Sequence, residues 1–212
     1  MDRIVNHDWI RPAEAPGPAA IQQVGGKAAN LARLVEAGQQ VPPFFTVTAA
    51  AFVHTMEQSG LAAAIRALGD VQGEAALVQA AAELRVAIAS RAVPEDLASR
   101  IRDGYDGLCQ ADDYAAVRSS ALDEDSTERS FAGMHDSFLF VRGAGDVLQA
   151  VRNVWASAFN ERAVSYRLRA GIPLDEIAVA VIVQKMVDAS RSGVLFTCNP
   201  GTNGVHQAVV SS

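Results

Sequence analysis

Ile177-Ala178-Val179-Ala180-Val181-Ile182-Val183, running on into Gln184-Lys185-Met186-Val187, is the stretch that decides the fold. It is nearly all apolar, as expected of a strand buried on both faces. Its uninterrupted part, Ile177 to Val183, is the longest apolar run in the chain and far too short to span a bilayer.

Working outward, Ser192 to Thr197 and His206 to Val210 read as further strands. On the other side, Val147, Val151, Val154, Trp155 and Ala158 stripe a helix from about Asp146 to Phe159, and a second helix runs to about Arg169. Gly171-Ile172-Pro173 breaks it. Ser137 to Val141 and Tyr114 to Val117 are short strands. Between them lies a polar, acidic stretch from Arg118 to Met134 that closes on Phe131-Ala132-Gly133. Residues 60–110 are alanine-rich and helical. Leu77, Ala81, Leu84 and Ile88 mark one stripe; Pro94 opens a helix striped by Leu97, Ile101, Tyr105 and Leu108. Phe44 to Val47 is a strand candidate, with Thr48 capping a helix to about Met56. Residues 11–20, rich in proline and glycine, read as a loop. Then come Val24-Gly25-Gly26-Lys27 and a helix with Ala28, Leu31, Leu34 and Val35 on one face, ending near Gly38. Helices first, then strands with helices between them, make an α/β or α+β chain with a mixed sheet.

A chain of 212 residues buries roughly 70% of its unfolded surface and needs no metal or disulfide to fold. The net charge of −6 leaves no basic excess, so nucleic acid and anionic membrane surfaces are poor partners. Cys109 and Cys198 form no disulfide framework and no zinc spacing. The first residues carry no apolar signal core. These features point to a soluble, cytoplasmic protein.

Gly25-Gly26-Lys27 stands directly before a helix, where backbone N–H groups and an ammonium can hold phosphate. It is not a Walker A loop, because Ile21 holds the first glycine's position and Ala28 stands where Ser or Thr is needed. By itself the fragment reads better as a turn with a solvated lysine. Arg118 follows a strand and can clamp phosphate with two donors, or pair at the surface with Asp123, Glu124 or Asp125. The residues alone leave those alternatives even. Ser130-Phe131-Ala132-Gly133 can let backbone N–H groups approach an anion, or can be a hairpin turn. Asp123-Glu124-Asp125 reads as a solvated face. Gln184-Lys185-Met186-Val187 can offer backbone groups to the edge of adenine, with Met186 on its face; alone, an ordinary strand end is the better reading. His7, His54, His135 and His206 have no metal-ligand spacing.

Taken together, three blocks resemble one family. They are Gly25-Gly26-Lys27-Ala28-Ala29-Asn30-Leu31 with Val41-Pro42-Pro43-Phe44, then Ala116-Val117-Arg118-Ser119-Ser120-Ala121 with Glu124-Asp125 and Ser130-Phe131-Ala132-Gly133, and then Val183-Gln184-Lys185-Met186-Val187 with Ser192-Gly193-Val194-Leu195-Phe196-Thr197 and Asn199-Pro200. Their order and spacing resemble the ATP-binding domain of phosphoenolpyruvate synthase, pyruvate phosphate dikinase and rifampin phosphotransferase. The resemblance reverses the bland readings of Lys27, Arg118 and Gly133. It implies an α+β, ATP-grasp-like fold of two lobes with a mixed sheet: a helical lobe over about 1–110 and a sheet-containing lobe with a lid loop over about 111–212. It implies that Lys27 and Arg118 contact ATP phosphates, that Gly133, Met134 and the backbone to Ser137 form the lid, and that Gln184, Met186 and Val187 line the adenine pocket.

In that family ATP phosphorylates a histidine on a swivelling domain, which carries the phosphate to pyruvate or, in rifampin phosphotransferases, to the antibiotic. The resemblance therefore implies a phosphotransferase with ATP and Mg2+ as cofactors and the swivelling and acceptor-binding domains as partners, in the same chain or a partner subunit. Met134 stands where the family usually has glutamine, and Cys198 where it often has alanine. The family's magnesium-binding glutamate falls downstream of Ser212, so the chain is expected to be a truncated domain, a split subunit, or a binding module without turnover.

Overall fold

The computed structural model describes residues 9–13, 21–121, 136–199 and 208–211. Five strands, β1 (Ile10–Pro12), β2 (Phe44–Val47), β3 (Ala115–Ala121), β4 (Ser137–Val141) and β5 (Val179–Lys185), form one sheet in the order β1-β2-β5-β3-β4. Strands β6 (Val194–Phe196) and β7 (Val209–Ser211) pair as a separate ribbon. The helices are α1 (Ile21–Glu36), α2 (Ala49–Gln58), α3 (Ala62–Ala67), α4 (Glu74–Ser90), α5 (Glu95–Leu108), α6 (Ala144–Ser157) and α7 (Glu161–Ala170).

The expected decisive strand is β5, at the centre of the sheet between β2 and β3. Its alternate residues enter two different cores. Val179, Val181 and Val183 face the main core, while Ile182 faces a smaller one under α1. That is why no polar residue interrupts the run. Each such buried aliphatic side chain stabilises the fold by roughly 1.5–3 kcal/mol. The main core joins Phe52 of α2, Leu77 and Ile88 of α4, Leu97 and Ile101 of α5, and Trp155 of α6. Phe52 and Trp155 meet edge to face at 6.0 Å between ring centroids. The second core sets Val24, Ala28, Ala29 and Ala32 of α1 against Phe44 and Ile182. Small alanines let α1 lie close to the sheet.

The α+β class is as the sequence implied, but every pairing in the five-stranded sheet is antiparallel, not mixed. The intervening helices serve as a packing layer and make no parallel crossover. Two elements differ from expectation. Residues 10–12 form a strand, because Pro12 ends an edge strand, where a missing N–H leaves no ladder bond unmade. Strand β3 runs through the polar Arg118-Ser119-Ser120 to Ala121, since its partners β5 and β4 hold it. The ends of α7 carry their signals: Asn160 accepts the Ala163 N–H at 2.8 Å to cap it, and Gly171 closes it in the left-handed region. Thr48 stands at the N-cap of α2 but its side chain makes no cap bond, and Pro94 is the N-cap of α5 rather than its first residue.

Candidate functional site

Helix α1 is broken at Gly25, whose φ of 75° and ψ of 169° are not helical. The helix restarts at Gly26, which places Lys27 in its first turn. The break fits against β3: a Cβ on Gly25 would stand 2.1 Å from the Ser120 carbonyl oxygen. Ser120 Oγ also accepts the Ala28 N–H at 3.1 Å. A serine on a distant strand thus caps the restarted helix as a local Ser would. The Ala28 N–H is therefore committed to Ser120 rather than open to an anion.

Strand parity sorts the neighbours. Arg118 pairs with Ile182, Ser120 with Ala180, and Ala116 with Gln184, so these residues share the α1 face. Ser119 pairs with Val181 and faces the main core, buried. Arg118 and Ser120 stand about 7 Å apart along the strand. Across the other edge of β3, Ser137 pairs with Arg118. Arg118 and Ser137 are exposed and Lys27 is half-buried. The structure thus puts Arg118, in the middle of β3, beside Ser137 on one face of the sheet, and docks the helix turn that carries Lys27 onto Ser120 on that face. Gly133, Met134 and the acidic run Asp123-Glu124-Asp125 lie outside the described residues.

At the Ala115 end of β3 a cleft of about 630 Å³ opens. Its floor is the end of β5 and the residues after it: Lys185, Met186, Val187 and Asp188. Because β5 lies between β2 and β3, Pro42 and Pro43 form one wall and Tyr114 and Phe140 the other. Met186 and Val187, which the resemblance implies for an adenine pocket, line this cleft. Gln184 stands one step behind the cleft, buried, and its Nε2 donates to the Pro42 carbonyl at 3.0 Å. Its side chain fixes the proline wall. Backbone bonds hold the same corner: Lys185 N–H to Pro43 O at 2.9 Å, and Met186 N–H to Tyr114 O at 2.8 Å. From Arg118 back to Tyr114 is about 13 Å at about 3.3 Å per strand residue, which a nucleoside triphosphate laid along β3 can bridge.

Three features of the cleft were missed in the sequence. Lys185 Nζ and Asp113 Oδ2 form an ion pair at 2.6 Å, both side chains about two-thirds shielded from solvent. The Lys185 ammonium, with the Gln110 backbone N–H, holds the Asp113 carboxyl below its usual value, and Asp113 holds Lys185 above its own. Beneath them Cys109 is buried; burial first, then Asp113, pushes its thiol up. The third feature is Phe140. The β3–β4 register shifts between Ala115 and Val117, and Phe140 takes a φ of 56°. Such a conformation costs a phenylalanine roughly 1–3 kcal/mol. No local signal announces it, because the bulge arises from pairing.

Among the described residues no three His, Cys, Asp or Glu side chains come together as metal ligands. No helix among them is long and apolar enough to cross a membrane.

Over residues 21–212 the chain matches the family described as pyruvate phosphate dikinase, AMP/ATP-binding domain. A probable phosphoenolpyruvate synthase of Methanothermobacter thermautotrophicus is 43% identical over 88% of this chain and 30% of its own length. The phosphoenolpyruvate synthases of Pyrococcus furiosus and Pseudomonas aeruginosa are 33% and 39% identical, over 89% and 90% of this chain and 28% and 25% of theirs. The chain spans less than a third of the length of these relatives.

Proposed function

Because the chain belongs to the family of pyruvate phosphate dikinase AMP/ATP-binding domains, we propose that it holds ATP along β3 for a phosphoenolpyruvate synthase-like dikinase. The base sits in the cleft over Met186 and Val187, and the phosphates reach Lys27 and Arg118. The observation that supports the reading is the docking of the broken helix start onto Ser120, which brings the helix turn that carries Lys27 to the strand that carries Arg118 and whose Ala115 end walls the cleft.

Lys27 Nζ and the Arg118 guanidinium supply positive charge where phosphoryl transfer builds negative charge, and charge with positioning is most of what that chemistry asks of a protein. Ser137 offers a hydroxyl beside Arg118. Gly133 and Met134 remain assigned to the lid over the phosphates. Gln184 acts by holding Pro42 in place. In this reading the transferred phosphoryl group goes to a histidine of a swivelling domain and then to pyruvate or another small acceptor, and the setting is cytoplasmic. Mg2+ would accompany the ATP phosphates and neutralise their charge there; among the described residues no three His, Cys, Asp or Glu side chains come together to hold it. The chain acts as one nucleotide-binding unit, 1–212, in which the helical part over 1–110 lends β1 and β2 to the sheet of 111–212.

Calorimetric titration with ATP tests this. The chain should bind ATP, and Lys27→Ala and Arg118→Ala should each weaken binding about ten- to hundred-fold, since a charge-assisted contact contributes roughly 1.5–3 kcal/mol. Melting temperatures should hardly move. Unchanged affinity in both variants would mean that the phosphates lie elsewhere.

A further inference from the structure

The wall of the cleft formed by Tyr114 and Phe140 is built against local preference. Phe140 is the only non-glycine residue with a positive φ among the described residues. In a regular strand Phe138 and Phe140 would share a face, and Phe138 packs on the main core. The bulge breaks that parity: Val141 takes the core position, and Phe140, 66% exposed, lines the cleft. An aromatic ring turned out of a core beside a cleft, at the cost of backbone strain, is a mark of function, as bulges near sites re-aim side chains. Phe140 is also held, at its backbone and at its ring. The Phe140 N–H donates to Met186 Sδ at 3.2 Å, and its ring meets Tyr114 edge to face at 5.8 Å. Arg142 lies over Tyr114 at 5.9 Å and bonds Asp112 and, at 2.8 Å, the Ala111 carbonyl. Tyr114 is thus propped from behind and Phe140 from below.

We propose that Phe140 is the base-stacking residue of this cleft, a planar apolar wall that selects a nucleobase over the bare polyphosphate. The inference rests on the ATP-site reading above. Strain makes it separable from a structural role, because glycine adopts a φ of 56° freely. Isothermal titration of ATP and of inorganic tripolyphosphate into wild type, Phe140→Gly and Phe140→Asn tests it, with melting curves alongside. Asparagine also tolerates the left-handed region and lacks the ring. Both variants should melt at or above the wild-type temperature. Both should bind ATP roughly five- to hundred-fold more weakly, the range of one lost base–aromatic stack, with tripolyphosphate binding unchanged. A folded variant that binds ATP as tightly as wild type overturns the proposal, as does one that loses both ligands in equal proportion. Wild type that binds neither ligand overturns the ATP-site reading itself, and this inference with it.

Discussion

Gly25 and Ser120, far apart in sequence, are in backbone contact: a Cβ on Gly25 would meet the Ser120 carbonyl oxygen at 2.1 Å and Ser120 Oγ at 2.6 Å. Distances under 3.0 Å are sterically forbidden to a real Cβ. Gly25→Ala therefore has two costs, a left-handed φ and a clash that only movement of α1 off β3 relieves. Each is roughly 1–3 kcal/mol. Gly38 is the control, with a φ of 71° and open space around it. Gly38→Ala should cost about 1 kcal/mol, and denaturant melts should show Gly25→Ala clearly the worse. Equal losses would mean that the contact is not made in solution.

Ser120→Ala probes the same junction from the strand side. It removes the acceptor of the Ala28 N–H and leaves that buried donor unmatched. The expected loss is about 1–2 kcal/mol. ATP affinity should fall as well, because Lys27 rides on the helix turn that Ser120 holds. If stability drops and affinity does not, Lys27 is not placed by this contact.

The sequence made some of this legible. The strands β2 and β4 could be read from short apolar runs, one of them bounded by Pro42-Pro43. The four-residue and three-residue recurrences of Leu77, Ala81, Leu84 and Ile88 gave the buried stripe of α4. What failed to show was long-range. The polar Arg118-Ser119-Ser120 hid the second half of β3, because strand residues facing a site look like a loop. Gly25 looked like a turn before a helix, and the helical residues ahead of it, from Ile21, were not legible. The Asp113–Lys185 pair joins residues 72 apart, and only the β3–β5 register brings them together. The Phe140 bulge likewise exists only in the pairing of β3 with β4.

The Asp113–Lys185 pair should give a defined pH window. The folded Asp113 carboxyl lies below its ordinary value of 3.8, so its contribution is present above that value and is lost as pH falls through the folded value. Lys185 lies above its ordinary 10.5, so its contribution is complete below that value and is lost as pH rises through the folded value. The melting difference between wild type and Asp113→Asn should then be level from about pH 5 to 9 and close below about pH 4. A difference that persists unchanged at pH 3 would show that the loss in the variant is not electrostatic.

The two cysteines should report on the floor of the cleft by their different reactivity. Cys198 is exposed and Cys109 is buried at the end of α5, its N–H bonded to Tyr105 O at 2.8 Å. The thiolate is the nucleophile, and both burial and the nearby Asp113 carboxylate hold the Cys109 thiol protonated. Lys185 opposes them and lowers the value. Iodoacetamide at pH 8 should therefore modify Cys198 first, as read by peptide mass, and reach Cys109 only through local opening of the α5–β3 junction. Asp113→Asn should speed Cys109 alkylation, because it removes a charge that raises the thiol and one side of the ion pair above it. Lys185→Met also opens the pair but removes the charge that lowers the thiol. If electrostatics govern, Asp113→Asn should react faster than Lys185→Met at the same pH. If the two react alike, access alone sets the rate, and the charge of the pair does not reach the sulfur.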